Sequence, residues 1–438
     1  MDGYGRLLDR LKNLNYRPAS EYIQMTQCSM PPLFPADSIP GEAPLRPQPT
    51  NAFQTRKVLV IATGHFTHDL FTASLAPLLP LIIQKLSLSL TLAGALASIQ
   101  QLPSLIDPLL GALADRGRLR WLVILAPSIS AVGMVSIGIA PGFAFLALLL
   151  LMVGISTAIW HTATPALVAR ASGERIGKGM SYFMIGGSLA FTLGPLITIA
   201  AVSWWKLEGI WRLLPLALVI SALLYWQTGN LDIYRAKPHA STGKWSTSWR
   251  VLKPIMLLMT GILITQSFMQ VAFGTYLPVF ISAQGSSLWL AGASYSIYEL
   301  AGAAGTFFVG TTSDRFGHQR VLIIASFIAP LLMLLFIATA GWLRIIALLA
   351  VGFTSLSTNA VLMAMVQEFS VDHPATANGL YFAIMFASRS LIIILVGAMA
   401  DHFGLQFAFY FCALTGFLAL PFVRALPDRQ VDFSPDSL

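Results

Sequence analysis

Charge is what this chain has least of. Asp, Glu, Lys and Arg together make up 11% of its 438 residues, against about 25% in a soluble domain. That is too little to cover a water-facing surface, so lipid has to be the solvent for most of the chain. Cysteine is scarce: Cys28 lies in a polar N-terminal stretch and Cys412 in the last apolar run. Two such distant thiols give no disulfide framework. Residues 1–57 hold no apolar core of a cleavable signal peptide, so the first apolar run is expected to act as its own insertion signal. Alternating segments of about ten residues, the mark of a membrane β-barrel, are missing. Nucleotide-binding loops and the HExxH zinc pattern are missing too, which disfavours a membrane enzyme or receptor.

Apolar residues, by contrast, make up 56% of the chain. They form runs of about 20 residues, each long enough to cross a bilayer core of about 30 Å. The runs fall at 58–84, 91–113, 121–140, 143–169, 180–203, 210–229, 254–282, 289–312, 319–341, 343–369, 377–400 and 405–425. The expectation is an all-α membrane protein with twelve transmembrane helices. It divides into a polar, proline-rich N-terminal tail (1–57), a first six-helix bundle (58–229), a linker (230–253), a second six-helix bundle (254–425) and a C-terminal tail (426–438).

The net charge of +8 sets topology here and does not indicate nucleic acid. Lys85, Lys206, Arg212 and Arg344 are the basic residues of one set of loops, and Arg389 alone falls within a span. The rest of the 27 Lys and Arg residues lie on the other side. The positive-inside rule then puts both termini in the cytoplasm, with the chain in the cytoplasmic membrane and in contact with its lipid.

The two bundles are related in sequence. Gly111-Ala112-Leu113-Ala114-Asp115-Arg116 closes the second span, and Gly310-Thr311-Thr312-Ser313-Asp314-Arg315 closes the eighth. Basic residues follow both, at Arg118 and Arg120 and at Arg320, and a weaker echo runs from Gly397 through Asp401 to Gly404. Internal repetition of this kind is how secondary transporters are commonly built, with the substrate site between the halves. The glycines permit close helix approach. The carboxylates suit a neighbouring helix N-terminus, and the arginines suit acidic partners or lipid phosphates. Gly111, Asp115, Arg116, Arg120, Gly310, Asp314, Arg315 and Arg320 are therefore read as gating loops.

These features resemble the major facilitator superfamily over residues 56–426. The resemblance rests chiefly on two in-register copies of its G-x-x-x-D-R loop signature. Within the superfamily the chain is most similar to the fosmidomycin resistance protein group of bacterial exporters. The residues concerned are Gly64-His65-Phe66 with Asp69, Trp160-His161, Ala169 to Gly173, and Gly186-Gly187 with Gly194-Pro195. Thr162 stands where that group has proline. Gly194-Pro195 also matches half of the helix 5 signature of the superfamily's antiporters. The resemblance implies two pseudo-symmetric bundles, a monomer, no resident cofactor, and transport of a small solute, with protons as the coupling ion.

Ionisable groups are costly inside a bilayer and mark function by default. His65, His68, Asp69 and Thr72 form one polar stripe on the first span, at i, i+3, i+4 and i+7. His161, Glu299 and Arg389 lie on the fourth, eighth and eleventh spans. At about 1.5 Å per residue, Asp69, His161, Glu299 and Arg389 lie about 12–20 Å deep, near one level. They are read as proton-coupling or substrate residues, or as static helix–helix contacts. Arg389 keeps its charge, so it is either paired with Glu299 or Asp107 or free as an anion receptor. Gln266 and Gln270 with Phe273 on the seventh span, Asn359 on the tenth, and Tyr295, Tyr298 and Thr72 are expected to line the cavity or to bond neighbouring helices. His65-x-x-His68-Asp69 is not read as a metal site, because the spacing supplies no clear third donor.

Overall fold

The computed structural model describes residues 52–107, 109–110, 120–228, 245–369 and 374–427. The tail expected over 1–57 lies almost wholly outside these residues, as do Gly111, Asp115 and Arg116. Twelve long helices run through the described residues. They are α1 (Thr55–Leu86), α2 (Leu90–Ile106), α3 (Trp121–Ile139), α4 (Phe143–Ser172), α5 (Ile176–Trp205) and α6 (Leu207–Thr228) in the first half. The second half has α7 (Lys253–Ala283), α8 (Leu288–Phe316), α9 (His318–Ala338), α10 (Gly341–Phe369), α11 (Ala377–Phe403) and α12 (Leu405–Ala425). Ten are long and apolar enough to cross a membrane. The exceptions are α2, which turns into a 3-10 segment at Leu102–Ile106 beside Pro103, and α8, which is diluted by Ser, Gly, Tyr and Glu299.

The halves repeat local devices as well as helix order. Ser89 caps α2 by accepting from the Leu92 N–H at 3.2 Å, and Ser287 caps α8 in the same way from Leu290 at 3.3 Å. Both are extended N-cap residues whose hydroxyl satisfies an orphan helix donor. Near its far end α1 breaks at Ala73–Ser74, ahead of Pro77, and α7 widens into a π-turn at Ala272–Tyr276, ahead of Pro278. Proline has no N–H to give the preceding turn and its ring crowds that turn's carbonyl. At the break in α1, Ser74 donates to the Leu70 carbonyl and pairs with Thr198 of α5, each at 2.7 Å.

The apolar core is shared at one end of the bundle and divided at the other. The largest cluster takes Leu78, Leu79 and Leu96 from the first half and Phe273, Phe280, Phe336 and Phe409 from the second. It lies at the end carrying the α1–α2, α7–α8 and α11–α12 turns. Towards the opposite end the core splits. One cluster around Val58, Trp160, Val168 and Leu224 belongs to the first half alone. Another, around Met259, Leu362, Tyr381 and Val423, belongs to the second. Apolar burial is non-directional and scales with area removed from water, so the halves are held together where the cluster is common, and among the described residues no apolar cluster is shared at the other end. Large side chains such as Phe307, Trp204 and Trp342 are exposed, as lipid-facing positions should be.

Candidate functional site

The polar stripe of α1 turns inward. His65, His68 and Asp69 are all at least 97% buried, and α4 and α5 close over them. The Asp69 carboxylate is the centre. Its Oδ1 accepts from His68 Nδ1 at 2.8 Å and lies 3.3 Å from His161 Nε2. Its Oδ2 lies 3.0 Å from His65 Nε2. Three imidazoles from two helices thus converge on one carboxylate. His65 stacks on Phe183 of α5 (centroids 3.9 Å apart) and His68 on Trp160 of α4 (5.3 Å), so neither ring is free to turn.

The neighbours of His65 restrict where protons sit. Its Nδ1 lies 2.7 Å from the Phe183 carbonyl, which can only accept, so Nδ1 carries a hydrogen. Its Nε2 is the ring nitrogen that faces the Asp69 carboxylate. His161 has 41% of its side chain exposed although it contacts buried Asp69. His161 is thus the exposed member of the cluster.

The glycine pair of α5 exists for this packing. A Cβ on Gly186 would collide with the Ala62 carbonyl, and one on Gly187 would come within 2.7 Å of His65 Cε1 and 3.2 Å of Asp69 Oδ2. Gly194 lies against the Leu70 backbone and Pro195 is buried in the same helix. Gly186→Ala is expected to lower stability by about 1–3 kcal/mol, the usual cost of overpacking, without removing any titratable group. A fluorescence melt of the detergent-purified protein measures it, and an unchanged melting temperature would contradict the packing.

The fold adds a donor that spacing along α1 did not show: His65, Asp69 and His161 each place a donor atom within 4.8 Å of the others. His65 Nε2 and His161 Nε2 each contact the Asp69 carboxylate, at 3.0 and 3.3 Å.

The second half holds a separate set. Tyr295 and Glu299 lie one turn apart on α8, near Arg389 of α11. No carboxylate among the described residues lies within ion-pair distance of Arg389. Its Nε is buried without a partner, as is Oδ1 of Asp107. The guanidinium lies beside the π-turn of α7, where a Cβ on Gly274 would sit 3.3 Å from Nη2.

Gln266 and Gln270 are buried and spend their amides on neighbouring helices. Gln270 donates to the Ser355 carbonyl at 3.2 Å and exchanges bonds with Asn359 at 3.3 and 3.4 Å. Gln266 accepts from Thr358 at 2.8 Å and donates to Ser326 at 3.2 Å. Tyr298 is buried, bonds Ser355 at 3.2 Å and stacks on Phe273. Thr72 donates to the Asp69 carbonyl at 3.2 Å. Of the gating loops, Asp314, Arg315 and Arg320 are exposed. Arg120 begins its helix segment at Arg120–Val135.

A chain of this architecture, with its ionisable residues buried between helices, is a membrane transporter by fold. Residues 61–392 match the family model of the Major Facilitator Superfamily, and the chain belongs to that superfamily. Its members are transporters, not enzymes. Over 379 residues the chain is 24% identical to the fosmidomycin resistance protein of Escherichia coli (strain K12), covering 84% of this chain and 92% of that one. It is 23% identical over 375 residues to the uncharacterized MFS-type transporter YfnC of Bacillus subtilis (strain 168), covering 83% and 91%. Among solved structures, a bacterial homologue of the human lysosomal transporter Spinster, inward-facing and unoccupied, aligns with a TM-score of 0.73. That alignment has 14% identity and covers 85% of this chain and 96% of the other. A D-xylose-proton symporter aligns at 0.67 with 15% identity, over 86% and 99%. At such identities the structural likeness concerns the fold alone.

Proposed function

We propose that this transporter exports a small organic solute across the cytoplasmic membrane in exchange for protons, as a monomer working by alternating access. Both termini then lie in the cytoplasm, and the end where the core divides is the cytoplasmic end. The observation that carries the reading is the buried Asp69 carboxylate with imidazole nitrogens at 2.8, 3.0 and 3.3 Å. A histidine beside a carboxylate takes up and releases protons near neutral pH. A buried carboxylate is costly unless it is compensated, so the state of this cluster is tied to how well it is sealed. His161, on the open side, is the route by which a proton leaves when the interior faces the cytoplasm. Solute enters the same space, and the return to the outward state follows.

The test is transport into proteoliposomes under an imposed pH gradient, using a panel of candidate drugs and metabolites. Export coupling requires that accumulation follow the gradient and collapse with a protonophore. Equal movement with the gradient dissipated would remove protons from the scheme.

A second reading is proton-linked uptake of a small anionic metabolite. It is favoured by the unpaired Arg389 guanidinium, which offers a planar fork of donors to a carboxylate or phosphate. The two readings differ in whether solute and proton move in opposite directions or together, which the sign of the solute-driven pH change inside the vesicles decides.

A further inference from the structure

The weak third echo of the loop signature, Gly397 to Asp401, is not used by the proton cluster or by Arg389. It sits at the last turn of α11, at the end where the core is shared. There it meets the start of α2, in the other half. Asp401 Oδ1 accepts from the Leu90 N–H and Oδ2 from the Thr91 N–H, both at 2.8 Å. Oδ2 also accepts from the Thr91 hydroxyl at 2.5 Å. With Ser89 taking the Leu92 N–H, the first three donors of α2 are all satisfied, two of them by a carboxylate from the opposite half.

The glycine of the echo works on the same residue. A Cβ on Gly397 would run into the Leu90 carbonyl and the Tyr276 hydroxyl, and one on Gly94 of α2 into Tyr276 and the Ile393 carbonyl. Between these glycines lies Tyr276, fully buried at the end of the π-turn of α7. It aims its single hydroxyl proton at two carbonyls, Ile393 at 2.8 Å and Leu90 at 3.1 Å. Ser98 adds a bond to the Ser390 carbonyl at 2.7 Å. Among the described residues, every hydrogen bond crossing between the halves belongs to this group on α2, α7 and α11.

At the opposite end, nothing among the described residues lies within 4 Å of a Cβ built on Gly310 of the matching copy.

We propose that Gly397, Asp401 and Tyr276 form a clasp that closes this end of the transporter by capping the first turn of α2. Asp401 and Tyr276 are positioning residues of the transport cycle that set the balance between the two facing states. The chemistry suits a contact made and broken in every cycle. A carboxylate at a helix N-terminus is favourable, but Asp401 is exposed, so water replaces its bonds when the clasp opens. Tyr276, in contrast, moves from a dry site, which makes closure depend on apolar packing around it. The proposal rests on the fold and on movement of the halves, and not on proton coupling.

Spin labels at Gln84→Cys and Gln406→Cys, exposed positions flanking the clasp, report its opening in the full chain in nanodiscs, with Cys28→Ser and Cys412→Ala. Pulsed dipolar spectroscopy should show one short distance for the parent. Asp401→Asn, which removes the charge and keeps the shape, should raise the long-distance population roughly threefold to tenfold. Asp401→Glu should restore much of the short one. Thr91→Val removes only the hydroxyl bond and should shift the distances the same way by less. It also serves if Asp401→Asn is not monodisperse on size-exclusion chromatography. Solute affinity in a binding assay should stay unchanged while turnover changes. Identical distance distributions in parent, Asp401→Asn and Thr91→Val would overturn the clasp, as would an equal shift in Asp401→Glu.

Discussion

Replacing Asp69 by asparagine is expected to abolish gradient-driven transport, a drop of about a hundredfold or more, the lower range of what a positioned proton-transfer group supplies. The substitution is nearly isosteric. The remaining amide oxygen can still accept from His68 Nδ1, and the new amide N–H groups can donate to a bare nitrogen of His65 or His161, which surround the site at 3.0–3.3 Å. The stacking of His65 on Phe183 and of His68 on Trp160 stays in place. The fold should therefore survive. What is lost is the only carboxylate on which the three imidazoles converge. Transport energised by a pH gradient should vanish while solute-for-solute exchange continues, because exchange needs the halves to rock but needs no net proton movement. Normal accumulation by Asp69→Asn would make the cluster a static contact among α1, α4 and α5.

Arg389→Gln should act on solute selection. The guanidinium has no ion-pair partner among the described residues, and its Nε is buried without a hydrogen bond. An unpaired cation within a membrane span is costly, and an anionic group brought by the solute would relieve it. Hydrogen bonds to charged groups contribute about 1.5–3 kcal/mol. The expected result is a rise of about tenfold or more in KM for carboxylate- or phosphate-bearing probes, with little change for neutral analogues and little change in maximal rate. A uniform loss for charged and neutral probes alike would mean that Arg389 supports the π-turn at Gly274 and does not meet the solute. Arg389 and Asp69 lie on different halves, so the two variants should fail differently: one in affinity, the other in energisation.

The spans were legible because lipid imposes a simple demand of length and apolarity, and the halves were legible because the loop signature recurs. The stripe of His65, His68 and Asp69 could be read from helical periodicity. Its meaning could not. That His161, far away on α4, comes within 3.3 Å of Asp69 depends on how α1 and α4 cross, which no local pattern encodes. Gly186-Gly187 could be recognised as a signature, but only the packing shows that both positions make room for α1. The sequence left Arg389 either paired with Glu299 or Asp107 or free; that it lies beside Gly274 of α7 depends on how α7 and α11 pack, which no local pattern encodes. The clasp at Asp401 had a faint signal in the Gly397 echo, too weak to interpret without Leu90 beside it.

The break in α1 comes one turn after Asp69, and the wide turn in α7 includes Gly274 beside Arg389 of α11. In α1 the distorted turn separates the part that seals one end from the part that holds Asp69, and in α7 it separates the sealing part from the segment that carries Gln266 and Gln270. Mechanically this is an isolator: the roof can swing without dragging the buried machinery beneath it. Deuterium should accordingly enter the amides of residues 272–276 well before those of the flanking turns, at a pace that follows the rocking of the molecule.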